Sequence, residues 1–181
     1  MPELEKAWDF LERSDLIASA EEVQTAVQRI AAEIDKRLGR TYPLVLAVMG
    51  GAVVFAGQLL PRLRFPLDFD YIHVSRYGAE TRGTKVEWRV KPPALVKGRT
   101  VLVLDDILDH GETMRAIRDG LNELGAEKVL SAVLVEKTLA APKPITADFV
   151  GLRIPDRFVF GCGMDAKGYW RNLPEIRAMK E

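Results

Sequence analysis

The sequence predicts an α/β domain with a central, mostly parallel sheet flanked by helices, and three features carry that prediction. Between residues 100 and 137 a Val/Leu-rich run, an amphipathic helix face and a second Val/Leu-rich run follow one another, the order and length of a βαβ unit. Such a crossover is right-handed, and ligands gather at the carboxyl ends of its strands. Upstream, Leu44–Val48 is wholly apolar and too short for a helix, as expected of a strand covered on both faces. Finally, no repeat, linker or low-complexity tract divides the 181 residues, so a single domain is expected.

Each element has its own local reason. Ser19 and Glu22 stand at capping-box spacing, and Val23, Val27, Ile30, Ile34 and Leu38 mark one helical face before Gly39. After the strand at Leu44–Val48 come Gly50 and Gly51, a turn, and then a buried helix over Val53–Leu60. Asp68–Val74 alternates loosely as a strand. Ser75–Gly83 is polar and glycine-punctuated, a long exposed loop, and Thr84–Val90 is expected to pair back as a β-ribbon. Thr100–Leu104 is the first strand of the βαβ unit. Met114, Ile117, Leu121 and Leu124 mark its helix, closed by Gly125, and Lys128–Val135 is its second strand. Leu59, Leu60 and Leu63 fit either a core or an interface.

Composition removes several function classes. Twenty-six Lys and Arg balance 26 Asp and Glu, so there is no basic footprint for a nucleic-acid binder. A single cysteine, Cys162, excludes an internal disulfide and a multi-cysteine zinc site, and its plain reading is a buried small hydrophobe. The start, MPELEKAWDF, lacks a signal pattern. The uncharged stretch Leu44–Leu60 is split by glycines and falls short of the roughly 20 residues a membrane span needs. A cytoplasmic protein without membrane or nucleic-acid partners is expected.

The chemistry concentrates just after Leu104, in Asp105-Asp106-Ile107-Leu108-Asp109-His110-Gly111-Glu112-Thr113. Three aspartates in five residues need a cation, hydroxyls or amides to satisfy them, and both Mg²⁺ and ribose hydroxyls suit. Asp109 to Thr113 leads into a helix start, where free amides and the Thr113 hydroxyl can face a phosphate. Caps alone do not call for three acids in one turn. The run contains neither a GxGxxG nor a GxxxxGK[ST] element, and a phospho-receiver would distribute its acids over more than one strand end.

These residues resemble a known family. Val101 to Met114 is similar to the phosphoribosyl-pyrophosphate signature of the type I phosphoribosyltransferases. Gly50-Gly51, the Ser75-Arg76-Tyr77-Gly78 segment, and Asp148 to Asp165 with Arg171-Asn172-Leu173-Pro174 resemble the hypoxanthine-guanine members, from about Leu16 to about Pro174. The resemblance implies a type I phosphoribosyltransferase fold, one domain over 1–181, with a core at about 40–140 and a small hood from about 1–20 and 140–181. It implies transfer of the 5-phosphoribosyl group from 5-phosphoribosyl 1-pyrophosphate to N9 of hypoxanthine or guanine, with Mg²⁺ as cofactor and a homodimer or homotetramer as the assembly.

Roles follow by the same resemblance. Asp105 and Asp106 would hold the ribose hydroxyls and the magnesium, and Asp109 would be the general acid or base beside purine N7. Asp109, His110, Gly111, Glu112 and Thr113 would cradle the 5′-phosphate, with Glu112 turned outward. Lys137 would donate to the 6-oxo group, Phe158 would stack on the base and Val159 would read its edge through the backbone. Asp165 would serve the purine side and a second magnesium. Met49, Gly50, Gly51 and Arg171 would bind pyrophosphate, and Ser75, Arg76 and Tyr77 belong to the loop that closes over the reacting centre.

Three positions depart from the family pattern: His110 where many members have threonine, Met49 where some have lysine, and Arg76 where a serine often precedes the loop tyrosine. They mark a subgroup, since the carboxylates, Lys137, Asp165 and Arg171 remain. Two rival readings share the fold: a transferase preferring xanthine or another 6-oxopurine, and a nucleotide-sensing RNA-binding regulator. Neutral charge disfavours the regulator, for which Arg62, Arg64, Lys91 and Lys97 offer only a local patch.

Overall fold

The computed structural model describes residues 2–76 and 86–180. In chain order the elements are α1 (Pro2–Glu12), β1 (Ser14–Ala18), α2 (Ala20–Leu38), β2 (Leu44–Met49), α3 (Val53–Leu59), β3 (Asp68–Arg76) and β4 (Val86–Val90). They continue with β5 (Thr100–Leu108), α4 (Glu112–Glu123), β6 (Lys128–Thr138), β7 (Phe149–Pro155), β8 (Val159–Phe160) and β9 (Ile176–Met179). Among the described residues no helix is long and apolar enough to cross a membrane. Tyr77 and most of the expected loop lie outside the described residues.

The main sheet has the order β4-β3-β2-β5-β6-β7, parallel from β3 to β7, with β4 antiparallel at the edge. Helices cover both faces, which is why β2 and residues 101–104 of β5 are apolar throughout. Val45, Ala47, Leu102 and Leu104 turn toward α2 and α3, whereas Leu44, Leu46, Val101 and Val103 turn toward α4. The helix α2 begins as its sequence predicts: the Ser19 side chain accepts from Glu22 N and the Glu22 carboxylate from Ser19 N. A cap of this kind contributes about 1 kcal/mol. All five residues of its predicted face are buried.

The structure corrects several local expectations. Leu124 is exposed, because α4 ends at Glu123 and Gly125 turns the chain at φ +82°. Leu59 and Leu63 are buried, and Leu60 packs against the same cluster, so all three belong to the core. β5 runs on to Leu108, which places Asp105 and Asp106 inside the strand and leaves only Asp109 beyond its end. The pairing with β6 continues to Leu108↔Glu136 and holds the acidic residues extended.

A small second sheet, β1-β9-β8, is antiparallel and joins the two ends of the chain. β7 lies in the main sheet beside β6, so the residues of the hood sheet resume only at Val159. Its alternate burial fits an edge strand packed on α2. The unforeseen helix α1 rests on the hood: Trp170 Nε1 donates to Ala7 O at 2.6 Å, Trp8 meets the Trp170 ring edge-on, and Phe10 meets Tyr169. A helix this short is marginal alone and depends on those contacts.

Candidate active site

The carboxyl ends of β2, β3 and β5 open into a cleft of about 400 Å³, lined by Met49, Gly50, Gly51, Asp105, Asp106, Asp109, Gly111, Thr113, Asp165 and Arg171. A hollow of about 190 Å³ adjoins it, bordered by Asp106, Asp109, Lys137, Phe158, Val159 and Asp165. The two share Asp106, Ile107, Asp109 and Asp165. One enclosure therefore continues into the other across a carboxylate border.

At the end of β5 the strand geometry sends Asp105 and Asp106 to opposite faces. Asp105 is buried, and its Oδ1 accepts from Asp106 N at 3.0 Å. Asp106 faces the loop after β2. A Cβ on Gly51 would lie 2.0 Å from Asp106 Oδ2, so only glycine lets the carboxylate settle there. On its far side Gly51 meets the hood, where a Cβ on Gly163 would lie 1.9 Å from Gly51 O. Gly50 is joined to Met49 by a cis peptide bond.

Burial pushes the Asp106 carboxyl above the ordinary range, opposed by hydrogen bonds from its surroundings and by the charge of Arg171. A cation beside it would favour its ionised form. The donors are hard oxygens, as Mg²⁺ requires, and that ion commonly takes one or two carboxylates with the rest of its shell from substrate and water. No group of three metal-capable side chains is gathered among the described residues, and Asp105 and Asp106 would leave most of an ion's shell to substrate and water. The residues fit a shared ion.

Asp165, expected to serve the purine side and a second magnesium, is held from two sides. Its Oδ1 is paired with Arg171 Nη2 at 2.5 Å and its Oδ2 accepts from Gly168 N at 2.6 Å. Arg171 also donates to Gly163 O at 2.7 Å. The tight turns from Gly161 to Arg171 thus fold the arginine back over the glycine loop, which sequence order alone does not reveal.

After Leu108 the chain turns sharply at Gly111, whose φ of +88° is reserved for glycine, and α4 starts with no side-chain cap. The amide dipoles at a helix start favour an anion. Thr113 lines the cleft, whereas Glu112 is exposed. His110 is largely exposed, with Nδ1 3.2 Å from Asp109 Oδ1.

Lys137 emerges near the end of β6 into the smaller hollow. Its Nζ lies 3.3 Å from Asp109 Oδ2 and 3.4 Å from Asp156 Oδ1, with only 11% of the side chain exposed. The buried Asp109 Oδ1 takes no hydrogen bond. Phe158 stands exposed at the rim with the backbone of buried Val159 beside it. The hollow thus brings together an ammonium, carboxylates and an aromatic side chain.

Several lining residues were not singled out in the sequence. His73 and Val74 enter from β3, Ile107 from β5 and Met164 from the hood. Asp156 becomes visible only through the pairing of Thr138 with Pro155, which brings the end of β7 level with Lys137. Ser75 and Arg76, expected in the loop, are the last two residues of β3.

Comparison with known proteins places these features in company. A family model described as the phosphoribosyl transferase domain matches residues 14–167. A hypoxanthine-guanine phosphoribosyltransferase of Bacillus subtilis is 32% identical over 166 residues, covering 91% of this chain and 92% of that protein. A crystal structure of a hypoxanthine-guanine phosphoribosyltransferase from Bacillus anthracis superposes with a TM-score of 0.83 at 30% identity, over 92% of this chain and 98% of that one. The hypoxanthine phosphoribosyltransferase of Trypanosoma cruzi, solved with the product IMP, gives 0.84 at 26% identity, over 93% and 96% of the two chains.

Proposed function

The chain belongs to the phosphoribosyl transferase family, and on that premise we propose that it is a purine-salvage enzyme of the hypoxanthine-guanine kind. It moves the 5-phosphoribosyl group of 5-phosphoribosyl 1-pyrophosphate to N9 of hypoxanthine or guanine and releases pyrophosphate. The observation that carries this reading is the pairing of Lys137 with Asp109 at 3.3 Å, on the border between a hollow of about 190 Å³ and the cleft that Gly111 and Thr113 line. An ammonium next to a carboxylate matches one edge of a 6-oxopurine, where an oxo acceptor adjoins N7.

The donor's 5′-phosphate is taken by the amides at the start of α4 and by Thr113, and its ribose hydroxyls by Asp105 and Asp106. Arg171 and the Met49-Gly50-Gly51 loop receive the pyrophosphate, with Asp165 holding the arginine in place. Asp105 and Asp106 would hold Mg²⁺ together with donor oxygens, and the ion, when bound, supplies positive charge to the departing pyrophosphate. The base lies against Phe158, with its 6-oxo oxygen accepting from Lys137. Purine N9 forms its bond to C1 as the C1–O bond breaks and its electron pair leaves on pyrophosphate, while Asp109 manages the purine proton at N7.

Lys137 makes the site selective. A 6-oxo oxygen accepts its hydrogen bond, whereas the 6-amino group of adenine cannot. Spectrophotometric turnover with hypoxanthine, guanine, xanthine and adenine, each with donor and with or without Mg²⁺, tests the reading. Magnesium-dependent turnover of the first two is expected. Silence on all four bases would remove it, and dominance of xanthine would move the chain to the rival substrate.

A further inference from the structure

One buried ammonium near the site has no part in binding or chemistry as described so far. Lys143 lies on the segment between β6 and β7, and only 10% of its side chain is exposed. Its Nζ donates to Leu108 O at 3.0 Å and to Lys137 O at 2.5 Å, and stands 3.7 Å from Glu136 Oε1. Leu108 is the last residue of β5 and precedes Asp109. Lys137 is the residue whose ammonium reaches Asp109.

The pairing of β5 with β6 ends at Leu108↔Glu136, immediately before this point. Beyond it β5 turns away into the loop at Gly111, and no ladder holds the two strand ends together. Lys143 bridges that gap: one ammonium with three N–H groups spans a carbonyl on each strand and pairs with Glu136, whose carboxylate also takes Arg153 Nε at 3.0 Å. The same segment supports the phosphate loop. A Cβ on Gly111 would lie 3.1 Å from Ile145 Cγ2, 3.5 Å from Pro144 Cδ and 3.6 Å from Lys143 Cβ.

We propose that Lys143 is a positioning residue for base recognition, clamping the ends of β5 and β6 so that Asp109 and Lys137 keep the separation that the purine edge requires. This rests on the reading of Asp109 and Lys137 as the base-binding pair. It assigns two roles to one side chain. The ammonium sets the purine side, and the aliphatic stem packs under the phosphate loop. Burying a lysine is unfavourable unless its donors are satisfied, and here the acceptors are the backbone of the two strands being joined.

The test is steady-state kinetics of Lys143→Met, which keeps the stem and removes the ammonium, with Lys137→Ala as the control. The expected result is a rise of about tenfold in the KM for hypoxanthine, with the KM for the phosphoribosyl donor within about twofold of wild type, since small misplacements of paired groups are magnified in recognition. Lys143→Arg, which keeps the cation, is expected to recover part of the loss. Equal rises in both KM values, or no change in either, overturn the proposal and leave Lys143 with a stability role only. If Lys143→Met does not fold, Lys143→Arg decides: a purine KM raised about threefold with an unchanged donor KM supports the clamp, and any other pattern overturns it. If Lys137→Ala itself leaves purine kinetics untouched, the fault lies in the reading of the base site and the clamp falls with it.

Discussion

The Asp106 carboxylate rests against the α-carbon of Gly51 so closely that a β-carbon there would stand 2.0 Å from Oδ2. The contact ties the end of β5 to the loop after β2, joining the groups assigned to ribose and to pyrophosphate. Gly51→Ala should therefore displace Asp106 and lower turnover by about 10²-fold, the scale of a misplacement of order 1 Å. Circular dichroism should show the fold retained. Wild-type turnover in a folded variant would mean that the Asp106 position is not critical.

Asp109→Asn keeps the shape of the side chain and removes its capacity to take a proton. Turnover should fall by about 10²-fold or more, while donor binding, measured by calorimetry, stays near wild type. A variant with full turnover would take Asp109 out of the chemistry.

Lys137→Ala removes a hydrogen bond from a charged donor, worth about 1.5–3 kcal/mol. The ratio of kcat/KM for hypoxanthine over adenine should drop by about 10-fold or more, chiefly through loss on hypoxanthine. An unchanged ratio would place the 6-oxo contact elsewhere.

Removal of divalent cations should separate activity from stability. No group of three metal-capable side chains is gathered among the described residues, so a chelator should abolish turnover while the melting temperature moves by no more than a few degrees. A large fall in melting temperature would point to a structural ion.

Cys162 is buried, its Sγ donates to Pro174 O, and burial with the nearby Glu175 charge pushes its thiol up to about 12. At pH 8 about one thiol in ten thousand is then ionised, and the thiolate is the reactive form. Native protein should resist iodoacetamide at pH 8 and react once unfolded in guanidinium. Rapid labelling of the native protein would show that the hood opens.

Much of this architecture was legible because it is written in local periods and local chemistry. The apolar runs at Leu44 and Thr100, the capping box at Ser19 and the glycine at residue 111 each act over a few neighbouring residues, so their outcome needs no knowledge of the rest of the chain. The density of carboxylates from Asp105 to Asp109 likewise points to a ligand from neighbouring residues alone. Other features depended on partners distant in sequence. The strand continued through Asp105 and Asp106 because β6 pairs alongside, and α1 formed where Trp170 and Tyr169 could receive it. Asp156 met Lys137, Gly163 closed on Gly51, Arg171 was drawn to Asp165, and Lys143 joined two strand ends, all through register and packing. By itself the sequence determined α2, α3, α4, the central strands and the acidic run, because hydrophobic period and backbone chemistry are properties of neighbours. Only the tertiary structure decided which charges stand within 3 to 4 Å of one another, because that distance is set by the pairing of parallel strands and the crossing of loops over their ends.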